Sequence, residues 1–297
     1  MAKLRTIKKK KEVRFTYQIL NIKLLSNTRE GTGVYASLLE NLFTNTIIKG
    51  IGNGKKAFIK SMFPFEIRGK TFFWGKIMKF TDLENRNDWI NVITKERQNI
   101  DIDPNIFPDP KEAEFVFVPQ AHRLALRLSS DFSIQNAYNY FKNALPEVID
   151  RDEDFNIHIQ QSQDIFEEIF DAVSVEKLYL SISYTNSDDI GDEIANWIDD
   201  QLKSSNSKEA AMSFEASKNE SINVNVPLIE GGLKLASENG EVEAKIHDKN
   251  GRIRRIVTKE HPEKNRATAP SEDEVKNVIF TQVIERYRND ATGNRAN

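Results

Sequence analysis

At 297 residues with 39% hydrophobic content and 18 Phe, the chain has enough apolar side chains for one large core or two modest ones, which excludes a disordered chain. No apolar run approaches the ~20 residues that span a bilayer, and the absence of cysteine excludes disulfides and thiolate zinc sites and fits a reducing cytoplasm. The net charge of −3 conceals strong segregation: +6 over residues 1–14, −14 over 146–220 and +5 over 249–266.

The basic N-terminus lacks the apolar stretch and cleavage site of a secretory signal. After this arm, Phe15–Ile22 is expected to be a strand and Val34–Phe43 a helix, with Leu38, Leu39, Leu42 and Phe43 on its apolar face. The glycines of Ile48–Lys60 do not fit a phosphate-binding loop, because Lys49 and Lys56 stand where that motif needs Gly and Ser or Thr. A basic glycine turn before a strand fits better. Residues 57–66 and 70–80 predict two strands joined at Arg68-Gly69 and rich in aromatics (Phe58, Phe63, Phe65, Phe72, Phe73, Trp74). Those rings suit core packing, with a stacking platform for bases as the alternative.

Three prolines place a loop at 99–112, followed by strands at 114–118 and 122–128 and a helix at 133–144 capped by Ser133 or Asp131. The acidic run around 146–154 is the expected boundary between two lobes. Beyond it come a strand at 155–160, a helix at 164–172, a strand at 177–184 and a helix at 188–202 with acids near its start. Residues 203–223 are polar and poorly patterned. A helix over 227–236, a hairpin over 241–259 and a terminal helix over 272–289 complete the chain. The expected class is α+β: mixed or antiparallel sheets with flanking helices, divided into a basic arm (1–14), an N-terminal lobe (15–145) and a C-terminal lobe (146–297).

The hairpin carries the most specific signal. Asn250-Gly251 is a dipeptide of tight two-residue turns, since both residues tolerate positive φ. Its second half is cationic, so it can serve as a solvated edge that resists edge-to-edge pairing, or as a ribbon that meets a phosphate backbone. Catalytic patterns are absent: the histidines (122, 158, 247, 261) form no metal motif, and no nucleophile elbow or dinucleotide fingerprint occurs. Neither a cofactor nor a metal is expected. The acids Asp150, Asp152, Glu153 and Asp154 leave a metal-dependent nuclease as an alternative function.

The segment AKIHDKNGRIRRIVTKEHPEKNRATAP, followed by an amphipathic helix, resembles the same region of RexA-like phage exclusion (abortive-infection) proteins. LLENLFTNT, IRGKTFFWGK and FVFVPQAHRLALR resemble that family's early helix and two strand pairs in order and spacing. The resemblance implies an architecture like RexA and, in turn, like the DNA-encircling recombination protein RdgC. It also implies a homodimer that binds double-stranded DNA with little sequence preference in an anti-phage system, beside a partner protein encoded nearby. On that basis Arg252, Arg254, Arg255 and Lys259 of the hairpin, and Lys264 and Arg266 in the following loop, are the expected phosphate contacts. Lys8, Lys9, Lys10 and Lys11 of the arm would add nonspecific affinity. A third function, as a protein-interaction subunit that presents the acidic stretch 146–220 to a basic partner, is compatible with the same charges.

Overall fold

The computed structural model describes residues 12–26, 28–29, 31–83, 89–183 and 193–287. In chain order the elements are β1 (Val13–Leu25), α1 (Thr32–Thr44), β2 (Lys49–Gly52), β3 (Lys55–Ile67), β4 (Lys70–Thr81), β5 (Trp89–Ile90), β6 (Arg97–Gln98), β7 (Lys111–Val118), β8 (Arg123–Arg127) and α2 (Ile134–Ala144). They continue through β9 (Asp154–Ile159), α3 (Gln163–Phe170), β10 (Ser174–Ile182), α4 (Glu193–Ser204), β11 (Ala210–Glu215), α5 (Pro227–Asn239), β12 (Gly240–His247), β13 (Ile253–Val257), β14 (Asn265–Ala269) and α6 (Val275–Arg286). The fold is α+β, and every strand pairing among the described residues is antiparallel.

The first sheet has the order β14-β1-β8-β7-β4-β3-β2, with β9 also paired to β1. β1 switches its apolar side along its length, from Phe15, Tyr17 and Ile19 on one face to Leu20, Ile22 and Leu24 on the other, and each set is covered. Leu20, Ile22 and Leu24 pack with Leu38, Leu39 and Leu42 of α1 and Phe141 of α2. Phe15, Tyr17 and Ile19 pack under Ile279, Phe280 and Val283 of α6. Ser133 caps α2 as expected: its hydroxyl accepts from the Asn136 N–H while the Asn136 side chain accepts from the Ser133 N–H. The second sheet, β11-β10-β12-β13, lays one face on α3, α4 and α5 through Leu178, Leu180, Val242, Ala244, Ile246 and Ile256. Its other face is charged and open.

Two sequence expectations need correction. The lobes are interleaved, not sequential. Residues 154–159 still belong to the first sheet, and β14 and α6 return to it at the end of the chain. The cause is the length of β1, whose exposed ladder groups on one side need two partners end to end. β14 pairs with residues 13–17 and β9 with 20–25. Residues 203–223, which look unpatterned, contain the edge strand β11. Of the expected helix at 188–202 and the terminal helix at 272–289, residues 188–192 and 288–289 lie outside the described residues, and 272–274 form a 3-10 turn.

The two-residue strands β5 and β6 form a separate hairpin whose tip exposes Val92 (81%) and Ile93 (88%). At Gly75 the strands come too close for a side chain. Beside the bulge between Ile59 and Ser61, a Cβ would stand 2.1 Å from the Ser61 carbonyl oxygen and 2.8 Å from the Phe115 ring. Gly75→Ala should therefore cost about 3 kcal/mol, the upper part of the usual range for overpacking. The check is a lower urea midpoint with an unchanged slope; equal midpoints would show that the bulge relaxes freely.

Candidate nucleic-acid interface

The turn of the β12–β13 hairpin is built around Asp248. Its carboxylate accepts the N–H groups of Asn250 (2.8 Å) and Arg252 (2.9 Å), which hold its pKa below the ordinary range. The Gly251 N–H donates to the Asp248 carbonyl, and the Asp248 N–H donates to the Arg252 carbonyl. Only Gly251 has positive φ (72°). The loop therefore has three residues, a type I turn followed by a left-handed glycine, and not the two-residue turn expected from Asn250-Gly251.

The hairpin cations are matched by acids. Arg254 on the helix face reaches Glu168 of α3 (2.8 Å), and Lys249 reaches Asp171 just beyond it (2.8 Å). On the open face Arg255 pairs with Glu243 (2.5 Å), Lys259 with Glu241 (3.2 Å) and Lys245 with Glu176. Arg252 makes no ion pair among the described residues. Counting Asp248, six cations meet six carboxylates here. Such exposed pairs contribute little stability, but they cancel the field that would draw in a phosphate backbone. An open polar groove of about 620 Å³ on the same face is lined by Glu176, Glu215 and Glu220 together with Lys177 and His247.

Lys264 and Arg266 lie elsewhere. Arg266 is in strand β14, not in a loop, and pairs with Thr16, while Arg14 pairs with Thr268. Strand alternation puts Arg14 and Arg266 on one face, opposite Phe15 and Tyr17, and Lys264 stands immediately before β14. All three are exposed, and none makes an ion pair among the described residues. Lys8, Lys9, Lys10 and Lys11 lie outside the described residues. Arg14 thus stands beside β14 in the first sheet, whereas the hairpin belongs to the second. Arg14 enters the charge count of the arm but is not among the expected phosphate contacts. Its place opposite Phe15 in a strand is the signal that finds it.

The remaining candidates have structural roles. Within the acidic run, Glu153 accepts the Arg29 guanidinium (2.7 Å from Nε), which holds its carboxyl down at about 2. Asp150 also pairs with Arg29 (3.3 Å), and Asp154 pairs with Lys208 (2.7 Å). Among the described residues no group of three or more His, Asp or Glu is placed to hold a metal ion. The histidines do not converge. His122 stacks on Tyr35 (4.0 Å), His158 meets the Ser183 hydroxyl (3.2 Å) and His247 meets Glu176 (2.6 Å).

Where the lobes meet, Asn21 donates to Asn239, Arg123 donates to Asn21 and lies 4.4 Å over the Tyr287 ring, and Tyr287 donates to Gln160 (3.1 Å). This buried polar seam fixes the second sheet against β1.

Residues 13–285 match the family described as a domain of unknown function, DUF4747. The chain belongs to the DUF4747 family. No curated protein is significantly similar to it. The DUF4747 match opens on the first residue of β1 and runs almost to the end of α6. It therefore takes in both sheets, the seam and Arg14, Lys264 and Arg266, and leaves Lys8–Lys11 outside. No helix among the described residues is long and apolar enough to cross a membrane.

Proposed function

We propose that this DUF4747 protein binds double-stranded DNA without sequence preference, through the cationic edge at the root of its N-terminal arm. The observation that carries this reading is the placement of Arg14 and Arg266 on one exposed face of the paired strands β1 and β14, with Lys264 exposed just before β14, none of the three in an ion pair among the described residues, and with Lys8–Lys11 close before Arg14 in the sequence. Point charges on a flat strand surface suit phosphate contacts better than base-edge readout. The hairpin's balanced charges make it a spectator.

A cytoplasmic setting in an anti-phage system, a homodimer and a partner protein encoded nearby are carried by the RexA-like resemblance. The exposed aliphatics at the β5–β6 tip offer apolar surface for such association.

The test is duplex titration at several salt concentrations. Arg14→Glu/Lys264→Glu/Arg266→Glu should reduce the log–log salt slope by about three units, about one per lost phosphate contact. Arg254→Glu/Arg255→Glu should leave the slope unchanged. Parent-like binding by the triple variant would remove this edge from the interface, and absence of duplex binding by the parent at low salt would overturn the function.

A further inference from the structure

A second surface lies on the far side of the same sheet. β2 pairs with β3 only through Lys55–Ala57, so beyond residue 57 β3 is a free edge among the described residues. Pro64 fits there, since an edge strand can spare its N–H. On the α6 side of this edge, Phe63 stacks on Trp74 (5.7 Å, 26°) and Phe65 meets Trp74 edge-on (6.4 Å, 80°). Unlike Phe72, which Phe280 covers, Phe63 remains 49% exposed.

The rings are surrounded by cations. The Lys276 ammonium sits 4.1 Å from the Phe65 ring centre and 5.1 Å from that of Trp74. Lys70 lies on the same face of β4, near one end of the rings. At the other end Lys60 and Lys76 share a single carboxylate, Glu112. Neither Lys70 nor Lys276 makes an ion pair among the described residues, and Glu66 alternates to the opposite face. Lys70 and Lys76 are about 20 Å apart along β4, room for a short stretch of single strand.

We infer that this edge is a stacking platform for unpaired bases of single-stranded nucleic acid, with Phe63 and Trp74 receiving bases and Lys70, Lys276 and Lys76 meeting phosphates. Aromatic faces beside cations, of which Lys70 and Lys276 make no ion pair among the described residues, are what sequence-tolerant single-strand binding requires. The platform extends the duplex-binding reading to unpaired bases, but it uses different residues, about five strand spacings (roughly 24 Å) from β14.

The test uses full-length protein with Trp89→Phe and Trp197→Phe, leaving Trp74 as the only tryptophan. Its fluorescence is followed on titration with oligo(dT), oligo(rU) and a duplex of equal length. Single strands should quench Trp74, and Phe63→Ala should weaken their binding by about tenfold or more while Phe63→Tyr retains it. Duplex affinity should be unchanged in both variants. Stronger quenching by oligo(dT) or by oligo(rU) identifies the single strand preferred, and either supports the platform. Duplex binding without Trp74 quenching, or single-strand affinity unaffected by Phe63→Ala, overturns the platform and leaves the duplex reading intact. Single-strand binding that Phe63→Ala weakens, in a protein that ignores duplex, overturns the duplex reading instead.

Discussion

Phe280→Ala should destabilise the protein by about 3–5 kcal/mol, the range for removing a large buried aromatic ring. Phe280 is 4% exposed and stacks on Phe72 with ring centres 4.4 Å apart. It lies at the centre of the contact that holds α6 against β1, β4 and β7. Truncation removes the apolar area and leaves a void that the strands beneath cannot fill. Because β14 is hydrogen-bonded to the start of β1 and α6 follows it directly, the loss should reach the whole first sheet and not a frayed end. The measurement is urea unfolding, with the midpoint lowered and the slope kept. A loss below about 1 kcal/mol would show that α6 docks loosely. Two separate transitions in the parent would show that the interleaved sheets do not unfold as one unit.

Mild acid should have the second largest effect. Burial pushes the His122 imidazole down to about 3 and that of His158 to about 4, and the positive charges of Arg123 and Lys23 near both add to the shift. Glu209 opposes it at His158. Both rings are therefore neutral in the fold at pH 5, whereas in the unfolded chain, with pKa near 6.5, they are mostly protonated. The unfolded state then binds more protons, so stability is complete above pH 6.5 and declines as pH falls toward the folded values. At pH 5 the loss is at most about 2 kcal/mol for each histidine.

Carboxylates do not confuse this window. Glu153, held at about 2 by Arg29, contributes stability that is lost only below its ordinary value near 4.5. His122→Asn suits the left-handed backbone at that position (φ 53°). Combined with His158→Gln, it should flatten the stability profile between pH 5 and 7. An equally steep profile in the double variant would place the acid sensitivity elsewhere.

Local structure was legible in the sequence wherever side-chain period and turn chemistry agreed. The helix at 32–44, the strands meeting at Arg68-Gly69, and Ser133 as a cap all follow from residues within a few positions of one another. What escaped depends on distant partners. The hairpin's cations look unopposed along the chain, yet Arg254 and Lys249 find their acids 86 and 78 residues away, on and just beyond α3. β11 is short, is rich in alanine and sits in a polar stretch, so it does not announce itself, and it pairs along the edge of β10. The candidate interface was half legible. Lys264, Arg266 and the arm stood out as charges, but only the pairing of β14 with β1 sets Arg14 beside Arg266. Phe63 could not be told from its core neighbours until the short reach of β2 left its edge open.

The late return of the chain to β1 has a consequence for synthesis. When β8 leaves the ribosome, the face formed by Phe15, Tyr17, Ile19, Phe72, Val116 and Val118 already exists, but its cover lies about 160 residues downstream. At ordinary elongation rates that face stays bare for roughly 10–30 s. A nascent or prematurely terminated chain therefore presents a greasy, half-built sheet to chaperones and proteases. β14 and α6 act as the seal that closes this face.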